Sequence, residues 1–182
     1  MYDQKYKRER VKMAHGMRIL GIDPGLAIVG WGIVERVNGM TFRPVAYGSI
    51  NTPAHTEVPY RLSLIYKNLC SIIEKYHPDE MAVEELFFTN NQTTGISVAE
   101  ARGVILLAAE HYHLPVAEYT PPEVKQAVVG YGKAEKHQVI DMVTRLLNLP
   151  APPKPDDTAD AIAIALCHGQ SAGAILRAID KR

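Results

Sequence analysis

The chain is expected to fold as one α/β domain around a mixed five-stranded sheet, three antiparallel strands followed by parallel ones, with helices on its flanks. Three observations lead there. Three consecutive apolar segments near the start are separated by Pro-Gly and Asn-Gly turn signals; from residue 58 onward apolar positions recur every three or four; and two short apolar runs, 81–86 and 116–119, lie between the helical stretches. With 182 residues, 47% of them hydrophobic, there is material for one substantial core and too little for two ordinary domains.

Residues 1–16 are polar, charged and without apolar period, so they are expected to form a disordered basic extension. Lys5, Lys7, Arg8, Arg10 and Lys12 stand there against Asp3 and Glu9. Because the formal net charge of the chain is zero, this surplus leaves residues 17–182 negative. The first strand starts abruptly in the run Met17-Arg18-Ile19-Leu20-Gly21-Ile22-Asp23, and Pro24-Gly25 turns the chain. Residues 28–37 read as a second strand, Asn38-Gly39 as a two-residue hairpin signal and 40–50 as a third strand, which together make an antiparallel meander.

Over 58–76 the positions Leu62, Ile65, Tyr66, Leu69, Ile72, Ile73 and Tyr76 recur at helical spacing, an amphipathic helix that ends near Pro78. The strand at 81–86 follows, and the order strand, helix, strand implies a right-handed crossover with parallel pairing. A polar loop over 87–94 precedes a helix expected over 96–112, which is apolar almost all round, has Ala and Gly103 on one face, and needs cover on both sides. After the short strand at 116–119, Thr120 is an N-cap before Pro121-Pro122. Gly130 and Gly132 end that helix, another spans 134–147, residues 150–155 are a stiff linker, and the last helix runs from about 157 to 167. The compact domain is therefore expected over 17–170, with a C-terminal tail over 171–182.

Several functional classes drop out. No stretch approaches the roughly 18 apolar residues that span a bilayer, and no signal-peptide core follows the basic opening, so a cytoplasmic protein is expected. Cys70 and Cys167 lie far apart within apolar helical patterns and read as reduced core thiols rather than a disulfide. The seven histidines form no HExxH motif and no Cys-x-x-Cys accompanies them, which speaks against zinc.

The chemistry is expected from four acids. Asp23 ends the first strand just before a turn, and alone it reads as an ordinary Asp-Pro-Gly turn. Glu84 changes that reading. It lies in Ala82-Val83-Glu84, within a strand otherwise suited to burial, where an ionised group is costly unless a partner such as a cation compensates it. In Pro155-Asp156-Asp157-Thr158-Ala159-Asp160, either Asp156 or Asp157 can cap the helix and satisfy its dipole. Asp160 has no such role: three residues beyond Asp157, it shares that residue's face beside the stripe that packs on the sheet. Oxygen ligands suit hard cations such as Mg2+ or Mn2+, and two ions roughly 4 Å apart can clamp the attacking water and the leaving 3′ oxygen of a phosphodiester. Bound ions would also reverse the sign of a negative domain facing nucleic acid.

In this order the motifs resemble those of the RuvC-type Holliday junction resolvases: the GIDPG strand, the AVEELF strand, the helix EARGVILLAAE, the stretch VKQAVVGYGKAEKHQV and the closing DDTADAIAIA, spread over essentially all of residues 17–170. The resemblance implies an RNase H-like fold and a structure-selective endodeoxyribonuclease. Such an enzyme nicks two strands of four-way junction DNA symmetrically, in homologous recombination and DNA repair, leaving 5′-phosphate and 3′-hydroxyl ends. The resemblance places the catalytic and metal-binding carboxylates on Asp23, Glu84, Asp157 and Asp160, with two Mg2+ or Mn2+ ions per site, and leaves Asp156 as an extra acid. It further implies that Lys125 and Lys136 contact phosphates near the cut, that Phe87 stacks at the junction, and that Arg102 and Gly103 lie at a homodimer interface. From the residues alone, the lysines would be solvated helix-face charges and Phe87 a core edge. RuvA and RuvB, the branch-migration complex, are implied partners, and the basic extension departs from the family pattern.

Two rival readings are weaker. A phosphotransferase or ATPase of the actin and hexokinase type shares the sheet order, but it needs a duplicated domain and a second phosphate-binding glycine turn, for which 182 residues are too few. A junction-binding scaffold without activity would gain affinity by losing acids near phosphate, and all four are kept.

Overall fold

The computed structural model describes residues 16–85 and 92–179. Strands β1 (Met17–Asp23), β2 (Ile28–Asn38), β3 (Thr41–Asn51), β4 (Glu80–Glu84) and β5 (Val116–Tyr119) form one sheet in the order β3-β2-β1-β4-β5. β1 pairs antiparallel with β2 and parallel with β4; β2 pairs antiparallel with β3, and β4 parallel with β5. This is the mixed sheet that the turn signals and the change of period predict. It puts β1, the strand that ends in Asp23, at the centre.

The hairpin turn falls one residue later than Asn38-Gly39 implies. Asn38 pairs with Thr41, which leaves Gly39 and Met40 as the loop, and Gly39 takes the left-handed conformation at φ 49°. Pro44 sits in β3, an edge strand, beside a register shift at Ile33 and Val34, where its missing N–H breaks no inner ladder.

The helices are α1 (Val58–Tyr76), α2 (Gln92–His111), α3 (Pro121–Val129), α4 (Lys136–Leu146) and α5 (Asp156–Ile179). Strand alternation sorts the core into two layers. Leu20, Ile22, Val29, Ile33, Met81 and Val83 meet Ile65, Leu69 and Ile73 of α1 and Ala101, Ile105 and Ala108 of α2. Ile19, Val34 and Ala82 face the other way, onto α5 with α3 and α4 outside it. The end of α1 is tied to the sheet, because Arg18 of β1 donates from Nη1 to the Tyr76 carbonyl at 2.7 Å. α3 begins with the capping box between Thr120 and Glu123.

Two helices differ from expectation. α2 is covered on one side only: Ile96 and Leu107 are 61% and 60% exposed, while Ala101, Ile105 and Ala108 are fully buried. α5 starts at Asp156 and runs to Ile179, well past residue 167. Gly169 does not break it, since the missing Cβ lets the helix pass Phe42, and its carbonyl accepts from Arg36 Nη1 at 3.2 Å. Cys70 and Cys167 are free thiols, and burial pushes Cys167 up to about 12. No helix of the described residues is long and apolar enough to cross a membrane.

Candidate active site

Asp23 is the last residue of β1 and Glu84 the last of β4. Ile22 lies level with Val83 in the parallel pair, so the two acids end neighbouring strands side by side. Because Ile22 and Val83 point into the α1–α2 layer, Asp23 and Glu84 point to the opposite face, where α5 lies.

The close seat of α5 depends on missing side chains. Gly21 of β1 is level with Gly32 of β2, Gly30 of β2 is level with Asp23, and all three glycines share the α5 face. A Cβ at Gly21 would strike Ala161 and Ala165, at Gly30 the backbone of Asp157, and at Gly32 Ile162. α5 therefore lies in a glycine trench with its first turns over the end of β1. Sequence reasoning missed this trench; the signal was Gly30-x-Gly32 inside a strand, two glycines at the period that puts them on one face.

The trench brings Asp157 and Asp160, on the first turns of α5, within electrostatic reach of Asp23. Burial first, then the charges of Glu84, Asp160 and Asp157, push the Asp23 carboxyl up to about 8, against a smaller opposing effect of Lys136. Glu84 is also raised, by burial and then by Asp160, with Lys125 and Lys136 pulling it back. Burial raises Asp160 in spite of its hydrogen bond from Lys136.

Lys136, the first residue of α4, places its Nζ 3.1 Å from Asp160 Oδ2 and 3.7 Å from Asp156 Oδ2. Burial pulls the Lys136 ammonium down, but the hydrogen bond to Asp160 and the charges of Asp160, Asp156 and Asp157 outweigh it and hold it above its ordinary value. Lys125, half-buried on α3, lies near enough to Glu84 for its charge to be felt there. Asp156, a candidate helix cap or extra acid from the sequence, thus pairs electrostatically with Lys136. Phe87 lies outside the described residues.

Among the described residues no three His, Cys, Asp or Glu side chains close up as a ready-made ion-holding group. The donor set nevertheless fits a hard divalent cation: it is all oxygen, it is richer in carboxylates than in cations, and it leaves Asp23 holding a proton up to about pH 8. Asp23, Glu84, Asp157 and Asp160 are the residues that could hold such ions.

Arg102 and Gly103 go to different places. The Arg102 side chain turns inward and pairs with Glu118 of β5, which fastens α2 to that edge of the sheet. Gly103 faces open space, in line with the exposed Ile96 and Leu107 on the same side of α2. Sequence reasoning also missed a polar chain under α5. His168 joins Glu80 of β4 and Tyr119 of β5, and a histidine on an otherwise apolar helix face was the available signal.

The family model described as Crossover junction endodeoxyribonuclease RuvC matches residues 19–168. The RuvC of Clostridioides difficile is 55% identical over 155 residues, 85% of this chain and 91% of that one. That of Brevibacillus brevis is 58% identical over 154 residues, 85% and 92% of the two chains. Among solved structures, Thermus thermophilus RuvC in complex with Holliday junction substrate matches with a TM-score of 0.82 at 34% identity, over 87% of this chain and 96% of that one.

Proposed function

The chain belongs to the crossover junction endodeoxyribonuclease RuvC family, and we propose that it resolves Holliday junctions with Asp23, Glu84, Asp157 and Asp160 as its catalytic set. Its fold is RNase H-like. What supports this assignment of residues is the meeting of four acids from three elements at the end of the central strand, with Asp23 pushed up to about 8 by burial and by the other three.

Two Mg2+ or Mn2+ ions bound there would activate the attacking water and stabilise the leaving 3′ oxygen of a phosphodiester, giving 5′-phosphate and 3′-hydroxyl ends. Asp23, which feels the charges of Glu84, Asp160 and Asp157, would hold such ions together with those three acids. Lys136 is hydrogen-bonded to Asp160 and stands ready to meet a phosphate once that acid is neutralised, and Lys125 does the same beside Glu84. Phe87 follows β4 closely enough in sequence to stack on a base at the junction.

The catalytic domain is residues 17–170, with residues 1–16 as a basic appendage and 171–182 as a tail. The uncovered stripe of Ile96, Gly103 and Leu107 supports a homodimer through α2, in which two-fold symmetry presents two sites to two strands. Arg102 serves that interface from behind by fixing α2 to β5. RuvA and RuvB are the partners this reading implies, in the cytoplasm.

The test is Asp160→Asn against a synthetic four-way junction, with a linear duplex of the same sequence as control. Junction binding is expected to remain and metal-dependent nicking to be lost. A variant that still cuts at the wild-type rate overturns the assignment.

A further inference from the structure

The glycine trench sets how deep α5 lies on the sheet, and between β2 and the far part of the helix Arg36 donates to the Gly169 carbonyl. The side-chain contact that joins α5 to β4, the strand of Glu84, is made two turns beyond the acids. His168 of α5, buried with 8% of its surface exposed, places Nε2 2.5 Å from Glu80 Oε2 and Nδ1 2.7 Å from the Tyr119 hydroxyl, whose ring meets the imidazole edge-on. A carboxylate only accepts, so Nε2 carries the proton donated to Glu80, and the Tyr119 hydroxyl meets the ring at Nδ1.

The spacing ties this contact to the catalytic acids. Glu80 and Glu84 are four residues apart on β4, about 13 Å of strand, while Asp160 and His168 are eight residues apart on α5, about 12 Å of helix. Strand and helix run in opposite directions. Fastening His168 to Glu80 therefore brings Asp160 level with Glu84 at the other end.

We infer that His168 is a positioning residue that pins α5 to β4 through Glu80, and so sets the axial register of Asp157 and Asp160 against Asp23 and Glu84. This rests on the reading of those four acids as the catalytic set. The Glu80 link is the one that matters, because β4 carries Glu84; Tyr119 holds the ring in the correct orientation.

Two substitutions separate the links. His168→Gln keeps a donor at the Nε2 position for Glu80, whereas His168→Asn reaches only as far as Nδ1. Each variant is assayed for metal-free junction affinity by gel shift, for the rise in melting temperature on adding Mg2+, and for single-turnover cleavage of a four-way junction over a Mg2+ series. His168→Asn is expected to bind the junction as wild type, to lose most of the Mg2+-induced rise in melting temperature, and to cleave 10- to 100-fold more slowly, roughly what a misplacement near 1 Å costs. His168→Gln is expected to recover both to within about threefold, given how little a retained hydrogen bond disturbs a packed site. Equal losses in the two variants, or wild-type behaviour in both, overturn the pin. Glu80→Gln provides a second route if His168→Asn does not fold, and wild-type cleavage and Mg2+ response there also overturn it. Asp160→Asn run alongside keeps the premises apart: if that variant cleaves normally, the assignment of the acids has failed, whatever His168 does.

Discussion

Gly30→Ala adds one methyl group beneath the first turn of α5, the helix that carries Asp157 and Asp160. A Cβ built at Gly30 lands on the Asp157 carbonyl, about 1 Å inside the closest approach that real Cβ atoms make, and its neighbours there are backbone atoms that cannot rotate away. The start of α5 must retreat by that amount or β2 must bend, and overpacking of this kind costs about 1–3 kcal/mol. The catalytic consequence is larger than the loss of stability. Asp157 moves directly and Asp160 moves with it, while Asp23 and Glu84 stay on the sheet, and a shift near 1 Å in a reacting geometry costs about 10²-fold in rate. The expected result is a folded protein with a modestly lowered melting temperature, unchanged junction affinity in a gel shift, and single-turnover cleavage slower by about two orders of magnitude. If Gly30→Ala melts and cleaves like the wild type, the trench does not position the acids and the reasoning is refuted.

Three further outcomes are expected. Because Asp23 titrates at about 8 in the folded protein and near 3.8 otherwise, the unfolded chain loses that proton first; metal-free stability should fall as pH rises from about 4 to about 8, and Asp23→Asn should flatten that slope and melt higher than wild type at pH 8 in calorimetry with EDTA. Mg2+ should raise the melting temperature of the wild type more than that of Asp23→Asn, and chelation should reverse it; equal rises in both would argue against Asp23 as a ligand. Leu107→Glu, which places a charge on the exposed stripe of α2, should leave the fold intact by circular dichroism and shift sedimentation to the monomer, whereas an unchanged dimer would place the interface elsewhere.

The sheet was legible because its signals are local. Pro24-Gly25 and Asn38-Gly39 mark turns, and the period changes from strand to helix at residue 58, so β1, β5 and α1 fall on their expected bounds. The boundaries that differ are decided by contacts between distant segments. α5 continues to Ile179 because Gly169 slides past Phe42, more than 120 residues earlier in the chain, and no local pattern encodes that clearance. The candidate acids were legible for a related reason: Glu84 and Asp160 break the apolar pattern of their own elements, so each is anomalous where it stands. The parts that bring those acids together were not. Gly30 and Gly32 show their role only once a helix is laid over them.

The glycine trench, the His168 pin and the buried acids together bear on how the site tolerates its own charge. Four carboxylates in one neighbourhood repel, and a soft frame would relieve the repulsion by letting α5 drift outward. Here the helix backbone rests directly on β1 and β2, and His168 holds it to Glu80, so drifting would break both contacts at once. The relief available without moving the helix is chemical. Lys136 shields Asp160 from the solvent side, and Asp23, deeper in the cluster, keeps its proton up to about pH 8. That proton and a divalent cation are alternatives for the same charge deficit. At neutral pH, cation uptake by the proposed site would release the Asp23 proton, and a frame that resists geometric relaxation would turn carboxylate repulsion into metal affinity.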